Sequence, residues 1–468
     1  MSSPGGCSFL HEYRKNPTMS ETKIYRGTLP YYLLYVYSYL YYHIFYRRVT
    51  VTGRENIPRN TPIIFAANHQ NALMDALAML YARKGKVVFL ARADIFKSKF
   101  VAGLLHFLKI MPVYRMRDGF ESLGQNEEIF DNAADVLRHN TPLAMLPEGN
   151  HAGFKRLRPL KKGICRIAFM AEERSQFKLN LHIVPVGLDY SNYFNAGERI
   201  LINFGKPIRV ADYLTLYRES PQHAINALRN EIVAGLKPLM LNIENEELYN
   251  TSADIIGFYQ HVLLSERKLR NTHRNRFKIQ QEISSRLNQI TANTPELLEP
   301  IRPLLSEYSG LLEKYDIRDW LVRKNNPNPL RLFAGILLSA ILLPAHIYGM
   351  IFNYFPYHFP VIISRKVKDR VFRSSIHFAI SLFLYLVYYV ILIAVFCLIF
   401  NGIWLKIAFA LSLPVTGMIA FYNYRNFLKI KGKFRFIRLK SKDNETFNHL
   451  IGLRHQIMNQ IKNLFNAS

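Results

Sequence analysis

Apolar and polar positions divide the chain into regimes with different periods. From Val49 to about Asp212, short apolar runs alternate with amphipathic stretches. Pro62–Ala67, Lys86–Ala91, Ile110–Arg115, Leu143–Leu146, Ile183–Leu188 and Ile200–Phe204 read as strands, with helical runs between most of them. Near-continuous apolar strands separated by helices predict an α/β sandwich with a mostly buried sheet and flanking helices. In such sheets chemistry gathers at strand ends, and His69, Arg115 and Glu148 each fall at or just after one.

The flanking regimes differ. Residues 29–46, LPYYLLYVYSYLYYHIFY, are apolar and tyrosine-rich and run into Arg47 and Arg48. That length is marginal for crossing a bilayer, and phenols favour its interface, so a helix lying in or dipping into one leaflet is expected. Residues 215–330 carry helical periodicity and many charges. Ala224–Leu241 and Phe258–Ile290 read as long helices of an appendage, with His261 and His273 on its surface. Leu332–Phe352, interrupted by Pro344, and the shorter Phe355–Ile363 read as a broken or re-entrant pair. Ile376–Phe400 has no charged residue, and Ile403–Tyr422 has only Lys406, so the two predict a transmembrane hairpin turning at Asn401–Gly402. Basic runs at 365–373 and 425–440 flank it and place both ends on the cytoplasmic side. The expected organisation is a polar segment 1–28, an interfacial helix 29–48, a catalytic domain 49–214, a helical region 215–330, a transmembrane region 331–424 and a basic cytoplasmic tail 425–468.

Composition narrows the partners. Lys and Arg total 61 against 34 Asp and Glu, a net charge of +27, which calls for a polyanion: nucleic acid, an anionic membrane or a phosphorylated substrate. The 28 Tyr and 32 Phe suit a bilayer interface or base stacking equally. The apolar 376–422 region decides against a soluble nucleic-acid binder, so no nucleic-acid partner is expected. Three scattered cysteines, Cys7, Cys165 and Cys397, exclude a disulfide framework and a metal cluster and suggest a reducing compartment. Residues 1–23 lack the apolar core of a signal peptide, which again turns catalysis toward the cytoplasm.

The chemistry centres on Pro62–Leu80, PIIFAANHQNALMDALAML: a strand, a loop with Asn68 and His69, then a helix carrying Asp75. An imidazole with a carboxylate close behind it is the arrangement for base-assisted attack by an alcohol. No Ser or Cys stands beside the pair, so the alcohol has to come from the substrate. Here the sequence resembles the glycerophospholipid acyltransferase family, whose signature is His, four residues, Asp. This chain has five between His69 and Asp75, as in the glycerol-phosphate branch. The extra residue is expected in the Gln70–Asn71 loop, with Asn71 as helix N-cap. Ile110–Gly119, IMPVYRMRDG, resembles the second family block. LPEGNH, Leu146–His151, resembles the Pro-Glu-Gly block, with a polar residue and a His where Thr-Arg stands elsewhere. IVPVGLDY, Ile183–Tyr190, resembles the Val-Pro strand that shapes a pocket floor, and 203–208 resembles the closing strand and turn.

The resemblance covers about residues 30–215 and implies an acyltransferase-type sandwich. It implies an O-acyltransferase moving a fatty acyl group from acyl-CoA or acyl-ACP to glycerol 3-phosphate or lysophosphatidate at a lipid bilayer. His69 is the expected base and Asp75 its orienter. Asn68, Glu148 and Gly149 are expected at the acceptor. Arg115, whose fork suits phosphate, then Lys155 or Arg156, are the expected phosphate ligands. No metal or other cofactor is required. The alternative is a lipid-binding or membrane-remodelling protein that keeps the fold without the reaction.

Overall fold

A computed structural model describes residues 23–96, 98–113, 122–151, 153–325 and 328–467. The chain divides into two compact units, residues 1–241 and 242–468.

The first unit is built on one sheet. Its strands are β1 Arg48–Thr52, β2 Ile63–Ala67, β3 Val88–Arg92, β4 Ile110–Val113, β5 Leu143–Met145, β6 His182–Tyr190, β7 Arg199–Phe204 and β8 Ile208–Arg209. They lie in the order β1-β7-β6-β2-β5-β3-β4, with β8 beside β6. From β6 to β4 every neighbour is parallel, and only β7 and β8 run against β6. β2, IIFAA, is buried at all its positions, as a central parallel strand covered on both faces must be. Six strands fall where the apolar runs predict. β1 and β8 are additional: β1, RVTVT, is a half-exposed edge strand with polar threonines, and β8 is two residues long.

Helices cover both faces. One face of the sheet, with Ile64, Ala66, Val88 and Leu90, packs into a single core with residues of α4 (Ser122–Arg138), α5 (Gly163–Arg174) and α7 (Pro221–Leu236). These follow α1 (Leu29–Phe45), α2 (Ala72–Arg83) and α3 (Lys99–Phe107) in the chain, with the short α6 (Leu214–Glu219) before α7. α7 therefore belongs to the sandwich, and the helical region begins at Asn242 rather than at 215: Ala224, Leu228, Ile232 and Leu236 are wholly buried in the sheet core. α2 buries Met74, Asp75, Ala78 and Met79. α1 packs Tyr35, Tyr39 and Tyr42 around Tyr81 of α2, edge-on or tilted. Its other face carries a stripe of exposed Leu29, Leu33, Val36, Leu40 and Ile44.

The second unit is helical. α8 (Tyr249–Glu266), α9 (His273–Asn293), α10 (Ile301–Lys314) and α11 (Asp319–Lys324) share a core with Phe436 and Leu439 of α15 (Ile403–Lys442) and with α16 (Asn444–Ala467). The predicted helix 258–290 is two helices: Lys268 turns left-handed (φ +51°) to end α8, and Thr272 caps α9 through the Asn275 amide. The residues expected to form a basic tail are helix, packed through Leu450, Leu453, Ile457 and Ile461. His273 is buried and His261 half-buried, not surface residues as expected.

Two helices of this unit are long and apolar enough to cross a membrane: Arg370–Ile399, which includes α14 (Arg373–Ile399), and α15. α12 (Pro329–Ile341) and α13 (Leu343–Arg365) bend 57° at Leu342, where Pro344 opens α13. α13 then continues through Pro356 and Pro360, so Phe355–Ile363 is not a separate return segment. α13 and α15 touch backbone to backbone: a Cβ on Gly349 would lie 2.2 Å from the Thr416 carbonyl oxygen.

Candidate active site

Parallel pairing sends the C-terminal ends of β2, β3, β5 and β6 to one edge of the sheet. Ala66 lies between Met145 and Pro185, and Ala67 pairs with Val186. The loops after β2 and β5 and the last residues of β6 therefore meet, as open parallel sheets arrange their sites.

At the end of β2 the backbone is spliced to β6 by Asn68. Its carboxamide donates to the Leu188 carbonyl (3.0 Å) and accepts from the Leu188 amide (2.7 Å), with no exposed surface. Asn68, expected at the substrate, is thus occupied at both ends in holding the loop.

His69 Nδ1 lies 2.9 Å from Asp75 Oδ2. A carboxylate only accepts, so Nδ1 carries the proton and Nε2 keeps its lone pair. The imidazole is partly exposed (14%), whereas Asp75 is fully buried. Asp75 Oδ2 also accepts from the Gln70 and Asn71 amides, both at 2.7 Å, and Oδ1 accepts from the Tyr190 hydroxyl at 2.8 Å. Burial, and then the charge of Asp75, hold the Tyr190 phenol well above its usual value, so it stays a donor. Asn71 stands at the N-cap position, but its side chain makes no cap bond; Asp75 receives the loop amides instead. Between them Ala72 takes a left-handed backbone (φ +43°).

Glu148 supports the loop from the other side. Its Oε1 accepts the His69 amide at 2.7 Å, and its Oε2 accepts the Arg158 amide (3.3 Å) and Nε (3.1 Å). Burial raises the carboxyl above its usual value, against the pull of the His69 amide and the Arg158 guanidinium. Glu148, expected to accept from glycerol hydroxyls, has both oxygens bonded to the protein. Gly149 turns the chain with φ +74°, a conformation glycine takes without strain.

Lys155 is committed to Asp189 of β6, Nζ to Oδ1 2.8 Å, while Arg156 is half-buried on the same loop. Arg115 lies outside the described residues. Two participants were not expected, Tyr190 and His151, and Arg158, one of the basic residues at 155–162 that the sequence offers for phosphate, pairs with Glu148. The His151 ring stands edge-on to His69, centroids 5.3 Å apart at 81°. Tyr190 is separated from Asp75 by 115 residues and reaches it only through the β2–β6 register. Cys165 is no rival nucleophile: it is wholly buried in the core, its thiol pushed up to about 12 by burial.

Residues 48–189 match the family described as Acyltransferase. Over 199 residues, 42% of this chain, the sequence is 26% identical to a 1-acyl-sn-glycerol-3-phosphate acyltransferase of Borreliella burgdorferi, spanning 74% of that protein. Over 206 residues, 43% of this chain, it is 22% identical to glycerol-3-phosphate O-acyltransferase 1 of Saccharomyces cerevisiae, spanning 26% of that protein. The crystal structure of the 1-acyl-sn-glycerophosphate (LPA) acyltransferase PlsC from Thermotoga maritima aligns with a TM-score of 0.32 at 16% identity, covering 44% of this chain and 80% of that one.

Proposed function

We propose that this chain, whose residues 48–189 match the Acyltransferase family, transfers a fatty acyl group from an acyl thioester to a hydroxyl of glycerol 3-phosphate or 1-acylglycerol 3-phosphate. The activities named for the bacterial and yeast relatives support the acceptor class. The observation that carries the reaction is the 2.9 Å bond from His69 Nδ1 to Asp75, which leaves Nε2 as a base on a partly exposed ring.

In this reading His69 Nε2 takes the proton of the acceptor hydroxyl as its oxygen attacks the thioester carbonyl. Asp75 stabilises the imidazolium that results. The tetrahedral intermediate collapses, the carbon–sulfur bond breaks, and Nε2–H returns the proton to the leaving thiolate. The products are an ester and a free thiol, and no covalent acyl-enzyme is needed. The oxyanion needs donors, but the His69, Gln70 and Asn71 amides already serve Glu148 and Asp75, and the Gly149 amide serves Leu146. Other groups have to fill that role.

A membrane setting is supported by the two helices of spanning length and by the exposed apolar stripe of α1. The basic residues flanking the spans favour the cytoplasmic side for the reaction, where acyl-CoA and acyl carrier protein are found.

The test is thiol release by the purified full chain, supplied with acyl-CoA or acyl-ACP and with each acceptor in turn. Thiol release that depends on a phosphorylated glycerol acceptor is expected. Lipid binding without acceptor-dependent thiol release would return the chain to the inactive, lipid-binding alternative.

A further inference from the structure

In the helical unit, α8, α9, α10, α11 and α16 gather polar and charged side chains around one carboxylate. Asp319 Oδ1, on α11, accepts from the Tyr308 hydroxyl and from Arg454 Nε, both at 2.9 Å. Arg454 is only 9% exposed, and its Nη2 is buried without a hydrogen-bond partner among the described residues. Arg323 stands one helical turn after Asp319, on the same face of α11. It is half-buried, yet it makes no hydrogen bond or ion pair among the described residues. Burial lowers its guanidinium from the usual value, with Asp319 opposing and Arg454 adding. The His261 imidazole, on α8, is lowered to about 4 by burial and then by Arg323, with Arg276 of α9 and Arg454 adding and Asp319 opposing.

The carboxylate is outnumbered. Asp319 bonds one guanidinium, while three act on His261. On these faces no other acid lies within a turn: three and four residues either side of His261, Arg276, Tyr308 and Arg454, every position is uncharged, the histidine at 273 aside. Acids farther along the same helices and on the adjoining loop have partners elsewhere: Glu266 with Lys462, Glu282 with Arg267, Glu307 with His449 and Asp316 with Arg435. Asp254 and Glu313 line a cavity that none of these three arginines lines. Arg318 and Lys324, at the two ends of α11, are exposed and add to the positive sign. Half-buried guanidinium charge in excess costs stability unless an anion meets it.

We propose that Arg323 and Arg454 form a binding site for a phosphate group, with the charge of Arg276 beside them. Arg323, tied to nothing else, grips the phosphate. Arg454, fixed by Asp319, offers the idle donor behind it. Guanidinium forks match phosphate oxygens in geometry as well as charge. The site belongs to the second unit and does not involve His69. Arg323 lies six residues before Pro329, where α12 opens the bent apolar pair, so at most about 20 Å of chain separates it from that helix. The phosphate is therefore carried by a lipid headgroup of the adjoining leaflet or arrives as a free anion, and the same donors serve either.

The test follows thermal unfolding of the purified full chain in phosphatidylcholine nanodiscs while inorganic phosphate replaces chloride at constant ionic strength. Wild type is compared with Arg323→Gln and with Arg438→Gln, which removes an exposed cation of α15. Phosphate is expected to raise the Tm of wild type saturably. In Arg323→Gln the half-saturating phosphate concentration rises by roughly tenfold or more, the scale of one charge-assisted hydrogen bond. In Arg438→Gln it changes by less than about threefold, as for a screened surface charge. In chloride alone Arg323→Gln unfolds at or above the wild-type temperature, because an uncompensated charge is gone; an arginine with a structural role would give the opposite shift. Phosphatidylglycerol added to the nanodiscs separates the two sources. A lipid headgroup already fills the site and abolishes the effect of inorganic phosphate on wild type, whereas a site for the free anion leaves it intact. No saturable rise in wild type, an unchanged half-saturation in Arg323→Gln, or a lower Tm of that variant in chloride overturns the proposal.

Discussion

Asp75 Oδ2 accepts from the His69 ring and from two backbone amides, and Oδ1 accepts from Tyr190, so one carboxylate orients the base and ties down its loop. Asp75→Asn replaces one acceptor oxygen by a donor. Either the loop amides or His69 Nδ1–H then faces an N–H, and the ring is free to turn to the other tautomer. kcat is expected to fall by roughly three to four orders of magnitude, as for the matching change in a serine-protease triad. Tyr190→Phe keeps the ring and removes one hydrogen bond, a loss of about 1 kcal/mol, so kcat should fall up to about tenfold with acceptor KM unchanged. Steady-state kinetics on both variants checks the pair, and a Tyr190→Phe change confined to KM would place the phenol at the substrate instead. His69 and Asp75 are legible in the sequence because six positions along one loop and helix bring them together. The role of Tyr190, the pairing of Arg158 with Glu148 and the use of Glu148 as a strut are not, because they depend on which strands and loops lie side by side.

At the scale of elements, the apolar runs locate the central strands well, since burial on both faces leaves an unmistakable pattern. The weak places are those where burial is partial or local backbone geometry decides. β1 is half-exposed, and the α8–α9 break rests on a single left-handed lysine and a threonine cap. Folding that hairpin draws in His261, whose side chain is lowered to about 4 by burial first, then by Arg323, Arg276 and Arg454, with Asp319 opposing. Between about pH 6.5 and 4 the unfolded chain takes up this proton and the folded chain does not. The stabilisation is therefore complete above about pH 6.5 and is lost as the pH falls toward 4. Half-exposure limits it to about 1–2 kcal/mol. Thermal unfolding at pH 7 and pH 5 should show a smaller acid loss in His261→Gln than in wild type; equal losses would assign the effect to other groups.

At the scale of the whole molecule, charge and hydropathy separate two kinds of work. The excess of 61 basic over 34 acidic residues includes the dense run along the later part of α15, a helix that begins with spanning hydropathy. The sequence pattern reveals the spans but not that this run and the residues after it return to a helical core, because Phe436, Leu453 and Ile457 find their partners in α8–α11, far away in the chain. The charge calls for anions, and the proposed phosphorylated acceptor is one. Thiol release from an acyl thioester, with a glycerol-phosphate acceptor supplied, compares full-length wild type with His69→Ala most directly. The account predicts loss of acceptor-dependent release by at least about a thousandfold, the scale of a missing general base together with its share of positioning, with the variant still extracted and folded as wild type is. Release within a factor of about ten of wild type, beyond what general-base loss allows, would contradict it.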